Sequence, residues 1–363
     1  MEWANARKTI FSDFMREMSA ERLNLMMNFR SAPRLVALQN HLANALLQSA
    51  DVVQAAPHWD SNAGKTLFCL FNKPEEEWEY IYQSIHHAIH TKGVAPRDIV
   101  VLAKLWVPVY AGDLIVYLNN KGIKIRDESD LQDLLTEELS RYVLNMLYAV
   151  FKKGAGKEKD EAFTFLSIIN TEFEDAQLLK LYAKLMRFLN DLKEHYAPPT
   201  ISKTAIDQLI NSILNFAGIY RIRSVYSQYK DSSFANELIN KLKRYVGEYF
   251  AVTPDMVQCL DQLMGIDSVG VMTIHKSKGL EFHTVFFVGF EDEAFWSYSH
   301  QADQDKRAFF VALSRAKEEA FFTFCKERKD RYGRRKTQQI SKIREIFEAL
   351  QASGMVEIYE HKT

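Results

Sequence analysis

VMTIHKSKGLEFHTVFFVGF, residues 271–290, sets a polar loop between two apolar, β-rich runs. An apolar strand that ends in a charged loop places that loop at the carboxyl end of a buried strand, where open α/β sheets bind ligands. Gly279 lets the backbone turn tightly or approach a ligand closely. Lys276 and Lys278 suit phosphates, and Glu281 suits a sugar hydroxyl. Taken one by one, these residues also fit a plain strand–turn–strand with a charged turn.

Working outward, the β-rich style recurs at 66–71 (TLFCLF), 98–104 (DIVVLAK), 123–126 (IKIR), 269–275, 284–290 and 320–325, with MVEIYE near the end. Helical stretches such as EEEWEYIYQSIHHAIHTKG separate the early runs, and strands alternating with helices argue for a parallel sheet. From Lys8 to Leu47 the pattern is helical, broken at Ala32-Pro33, with Ser31 expected to cap a helix begun by Pro33. Between about 130 and 265, Leu, Tyr, Phe and Met recur at three- and four-residue spacing, and GAGKEKD and APPT mark turns. That stretch is expected to be an all-helical insertion into a sheet begun before it and completed after it.

With 363 residues the chain exceeds one ordinary core. The 46 basic and 47 acidic residues leave a net charge of −1, so any nucleic-acid surface must be local. Cys69, Cys259 and Cys325 match no metal spacing and suit a reduced, cytoplasmic compartment. No metal site is expected in the chain. The apolar runs are strand-length, short of a membrane span.

Two further clusters carry chemistry. In DQDKRAFFVALSRAKEEAFFTF (303–324), helical spacing puts Arg307, Phe310, Leu313 and Lys317 near one face, with Arg315 elsewhere on the helix. Arginine offers a planar fork of donors suited to phosphoryl groups. In LMMNFRSAPRL (25–35), Arg30 sits at a break between two helices, beside a helix start that favours anions.

The order and spacing of these clusters resemble the C-terminal half of UvrD/Rep-type superfamily 1 DNA helicases. NFRS (28–31) is similar to the family's motif IV, TIHKSKGLEF (273–282) to motif V, and DKRAFFVALSRAKE (305–318) to motif VI. The resemblance implies a RecA-like, P-loop NTPase-type α/β domain over residues 1–130 and 265–363, with a helical subdomain over 131–264. It implies a 3′→5′ ATP-dependent DNA helicase or translocase acting on single-stranded and duplex DNA. Arg30 would reach the γ-phosphate, and Arg315 would be the arginine finger. Glu281, with Gly279, would lie by the nucleotide, and Arg307 would be the second arginine of motif VI. Thr273 and His275, with Lys278 beside them, would meet DNA. Phe29, Lys306, Ser314 and the AFWSYS segment (294–299) depart from the family pattern. None of these changes removes a charge that the chemistry needs.

ATP hydrolysis also requires a phosphate loop and Mg²⁺-binding acids. HWDSNAGKT lacks the first glycine of G-x-x-x-x-G-K-S/T and precedes a strand rather than following one. VGFEDE (288–293) imitates an acid-tipped strand at a place where the family has a loop. EWANARKTIFSDFM resembles the family segment after motif III, with Trp3 and Ala6 near its F/W-x-G-A. The expectation is therefore half of an ATP–Mg²⁺ site, completed by an N-terminal RecA-like motor domain, and a chain inactive alone. A non-catalytic DNA-binding or interaction module of the same fold is the alternative. Last, residues 326–344 carry nine basic against two acidic residues. Arg334, Arg335 and Lys336 within it are candidate DNA contacts.

Overall fold

The computed structural model describes residues 10–361 except 22, 130, 197–201 and 331. The Trp3 and Ala6 resemblance lies outside the described residues. The core is a seven-stranded sheet of β1 (Lys65–Phe71), β2 (Ile99–Ala103), β3 (Ile125–Asp127), β4 (Val269–Thr273), β5 (Phe282–Val288), β6 (Ala316–Cys325) and β7 (Glu357–Glu360). Their order is β7-β1-β6-β5-β2-β4-β3, and every neighbouring pair is parallel. Central β2, IVVLA, is buried at all five residues, as a strand covered on both faces should be.

Side-chain alternation feeds two helical layers. Phe68 and Phe322 meet Phe347 and Phe309 of the helices Arg344–Ala352 and Tyr298–Ser314, each at 5.0 Å between ring centres. Phe321, one residue from Phe322, points the other way, toward Tyr80 of the helix Pro74–His90. Successive strand residues face opposite sides, so an unbroken aromatic run serves both layers.

The connection from β3 to β4 is the helical insertion, which has its own apolar core. The helix Glu138–Phe151 lies at its centre, with Tyr142 stacked on Phe165 at 4.5 Å and buried Leu139, Val143, Met146 and Leu147 around it. Among the described residues, no helix is long and apolar enough to cross a membrane.

Some local expectations fail. The first helix spans Ile10–Met18, and the described residues between Ala20 and Ala32 are not helical. There Met27–Asn28 pairs in parallel with Gln54–Ala55. Pro33 does open the next helix, Pro33–Leu47, but Ala32 is its N-cap and no side chain caps it. Ser31 instead donates from Oγ to the carbonyl of Ala316, 2.8 Å away. The motif VI helix stops at Ser314, so Lys317 lies on β6 rather than on a shared helical face. Helix-favouring residues in SRAKEE are overridden by pairing of β6 with β1 and β5.

One charged group lies deep in this architecture. Arg328 contacts Glu77 at 2.9 Å and Glu291 at 2.8 Å, and both carboxylates are fully buried. Arg328 Nη2 donates to both Glu77 oxygens, and its Nε forms an ion pair with Glu291 Oε1. Burial pushes the Glu291 carboxyl up from 4.5 to about 7, opposed by Arg328 and reinforced by Glu77. A carboxyl whose pKa is raised on folding stabilises the fold below its unfolded pKa, and that contribution is lost as pH rises through about 7. Chemical denaturation at pH 5 and pH 8 should show this loss, and Glu291→Gln should flatten it. Arg328→Met strands two buried carboxylates and should cost about 3–5 kcal/mol.

Candidate functional site

The loop 274–281 leaves the carboxyl end of β4 beside β2, where Ile274 N–H donates to the carbonyl of Ala103 at 2.9 Å. Buried Ser277 organises it, donating from Oγ to the Ile274 carbonyl at 2.7 Å and from its amide to Thr273 at 3.2 Å. Gly279 has φ +87°, and a Cβ there would meet nothing within 4 Å. The glycine is required by backbone conformation, not by crowding.

At its far end the loop joins two distant segments. Arg30 Nε donates to Glu281 Oε2 at 2.9 Å, and Lys317 Nζ lies 2.8 Å from Oε1. Arg30 Nη1 donates to the Ser314 carbonyl at 3.0 Å, and Arg315 Nη1 to the Leu280 carbonyl at 3.0 Å. Asn28 Oδ1 accepts the amides of Arg30 and Ser31, both at 2.9 Å, which fixes the backbone that presents Arg30. Three cations thus surround one acid. Hydrogen bonds from Lys317 and then Arg30 hold the Glu281 carboxyl below its ordinary range. Burial, followed by repulsion from Arg30, lowers the Arg315 guanidinium, whose Nε is buried without a hydrogen-bond partner among the described residues.

Beside this cluster opens a pocket of roughly 700 Å³, lined by Met27, Phe29, Arg30, His58, Trp59, Glu281 and Lys317 among others. Its lining combines apolar and aromatic side chains with charged ones. Phe29 is 68% exposed. Asn28, Phe29, His58, Trp59 and Lys317 are site residues that sequence reasoning did not assign. Lys317 follows Arg315 by two residues, on β6 rather than on the helix that the spacing predicts. The structure does not bring Arg307 into this cluster. It lies on the exposed side of its helix eight residues before Arg315, about 12 Å along the axis. HWDSNAGKT does precede β1, and Gly64 packs against Leu35, where a Cβ would sit 2.7 Å from Cδ1. The acids of VGFEDE are likewise engaged: Glu291 by Arg328, and Asp292 by Ser341 Oγ at 2.6 Å.

Ala103 is in register with both Thr273 and Val288, so the loops after β2, β4 and β5 emerge side by side. Thr273 is half-buried there, while His275 and Lys278 are exposed. The segments after β2 and β5 line a groove of roughly 360 Å³ whose walls include exposed Trp106, Trp296 and Tyr332 together with Lys336, Lys342 and the acids Glu291, Glu293 and Asp330. The basic stretch is more neutral than its composition suggests. Arg334 pairs with Asp330 at 3.0 Å, Arg335 with Glu327 at 3.7 Å, and Lys336 with Glu293 at 3.1 Å. Lys329 pairs with Asp113 at 2.9 Å, and Arg328 belongs to the buried triad. Several of these acids come from distant segments, which a local charge count cannot see.

This architecture, a seven-stranded parallel sheet with an inserted helical subdomain, is that of a RecA-like helicase C-terminal domain. The chain belongs to the UvrD-like helicase C-terminal domain family, which it matches over residues 131–327, more than half its length. It is 22% identical over 363 residues to the probable DNA helicase II homolog of Mycoplasma capricolum, covering 89% of this chain and 49% of that protein. It is 23% identical over 371 residues to the putative ATP-dependent DNA helicase YjcD of Bacillus subtilis, covering 86% and 44%. Over 84 residues it is 40% identical to the ATP-dependent DNA helicase Rep of Escherichia coli, covering 22% and 12%. The chain spans about half the length of the curated relatives that it matches along most of its own length.

Because Gly279 stands in open space at positive φ, Gly279→Ala should destabilise the chain by about 1 kcal/mol through backbone strain alone. Gly279→Asn should cost less, since asparagine tolerates the left-handed region better. Urea midpoints of the two variants check the order.

Proposed function

We propose that this chain is the C-terminal motor portion of a 3′→5′ ATP-dependent DNA helicase or translocase. It would supply half of an ATP site that an N-terminal RecA-like motor domain completes. The observation that carries this reading is the convergence of Arg30, Arg315 and Lys317 around Glu281, at the rim of an open pocket whose chain has no phosphate loop. A nucleotide fits this mixed lining: exposed Phe29 offers a stacking face for a base, Glu281 accepts from ribose hydroxyls, and the cations meet phosphates. ATP with Mg²⁺ would supply a phosphoryl group that leaves with its charge partly neutralised. In this reading the carboxylates that hold Mg²⁺ belong to the other domain.

In this reading Arg315 is the arginine finger. Its guanidinium would stabilise developing charge on the transferred group once the two domains close. Arg30 holds the γ-phosphate, and release of both arginines after hydrolysis lets the domains part. The segment from Ile10 to Phe29 exposes Phe14, Met18, Leu23, Leu25 and Met27, an apolar surface of the kind a partner domain covers. DNA would run along the carboxyl edge, with Thr273, His275 and Lys278 at the loop and Trp106, Trp296 and Tyr332 available to stack on bases. Arg334, Arg335 and Lys336 sit in surface ion pairs, which contribute little and can be exchanged for phosphates.

Three outcomes test this. The isolated chain should neither bind ATP tightly nor hydrolyse it; DNA-stimulated turnover that disappears on Arg315→Ala would sink the half-site idea. In the intact protein, Arg315→Ala should slow hydrolysis roughly 10³-fold or more while DNA affinity stays nearly unchanged. Titrations of a labelled single-stranded oligonucleotide at several salt concentrations should give micromolar or poorer affinity with a steep salt slope. Replacing Arg334, Arg335 and Lys336 together by alanine should flatten that slope, and His275→Ala should leave it alone.

A further inference from the structure

The loop 274–281 is held from two sides by parts of the chain that are far apart in sequence. Its carboxyl half is gripped by Arg30, Lys317 and Arg315, through Glu281 and the Leu280 carbonyl. Its apex is gripped by the first helix of the insertion, Leu131–Thr136. Gln132 Nε2 donates to the Lys276 carbonyl, and Lys276 Nζ is ion-paired with Asp133. Lys276 is therefore turned away from the pocket, toward the insertion. Gln132 Oε1 is buried with no hydrogen-bond partner among the described residues, so this side chain is held in place by its amide nitrogen. The root of the insertion is tied to the sheet as well. Glu128 N–H donates to the Val271 carbonyl at 2.8 Å, and Arg126 joins Glu128 at 2.7 Å and the Leu263 carbonyl. Both ends of the insertion thus move with β3 and β4, and its first helix also holds the loop.

We propose that Gln132 and Asp133 are positioning residues that transmit the orientation of the helical insertion to the loop carrying Thr273, His275 and Glu281. The proposal rests on the functional reading of those three residues given above. A shift of the insertion that pulls the Lys276 carbonyl turns the Lys276–Ser277 peptide, and with it the backbone of the adjoining His275. Ser277 links the two halves, since its amide bonds back to Thr273 and its carbonyl accepts from Leu280 at 3.0 Å. Movement at Gln132 accordingly reaches both the DNA-facing and the nucleotide-facing ends through one short, hydrogen-bonded turn. Neither Gln132 nor Asp133 lines the pocket or the groove.

The clamp can be measured on the chain without any ligand. Amide hydrogen exchange at Ser277 and Leu280 should quicken about five- to tenfold in Gln132→Ala, with β5 unchanged. Asp133→Lys and Lys276→Asp should each loosen the same amides, and the two combined should restore protection toward the original level. With a labelled oligonucleotide, Gln132→Ala should weaken binding about three- to tenfold at an unchanged salt slope, because no phosphate contact is lost. Unchanged loop exchange in Gln132→Ala, or a charge-swapped pair no better than its single variants, would overturn the clamp. Loosened exchange with unaltered oligonucleotide affinity would overturn its positioning role. Failure of the unaltered chain to bind any oligonucleotide would instead overturn the DNA reading, leaving the exchange data to decide the clamp alone.

Discussion

Parallel pairing throughout the sheet forces each strand to be entered from the same end, so the loops that leave the strands' carboxyl ends collect along one edge. Much else in the molecule follows from that constraint. Ala103, Thr273 and Val288 sit at one level on three adjacent strands, although more than 180 residues of sequence separate the first from the last. The loops beyond them therefore share a surface. Each return to the opposite end needs a crossover, and at the β3–β4 step that crossover has grown into a separate helical body with its own core. The insertion interrupts no strand pairing, because it occupies a connection the sheet already required.

The two edges of the sheet handle charge differently, with Glu281 just before β5 at the amino edge and Arg328 beyond the carboxyl end of β6. At Glu281 the carboxylate is nearly half exposed and shared by Arg30 and Lys317, so its partners can be traded for a ligand's phosphates at low cost. At Arg328 the guanidinium and both carboxylates are buried, and removing the guanidinium strands two carboxylates in a poorly solvated interior. The buried triad ties the helix Pro74–His90, the loop after β5 and the strand Glu327–Lys329 into one rigid block. That block carries the aromatic groove. Exchangeable pairs lie where binding is proposed, and fixed pairs lie where the surface must hold its shape.

The sequence by itself determined the sheet-forming runs, the helical style of the insertion, and the order of Arg30, Glu281 and Arg315. Apolar periodicity and glycine placement are local signals, and they survive folding. It also disqualified HWDSNAGKT, since a segment that precedes a strand cannot lie at that strand's carboxyl end. What only the tertiary structure decided were matters of long-range pairing. Ser31 bonds to Ala316 across 285 residues of chain instead of capping its own helix. Lys317 belongs to a strand because β1 and β5 claim it, whatever its helix propensity. The basic stretch is largely neutralised by acids such as Asp113, Glu77 and Glu293, none of them within it. Lys276, apparently free for phosphate, is held by Asp133 from the insertion. A side chain's charge can be read from sequence, but its partner is set by whichever segment the fold brings alongside.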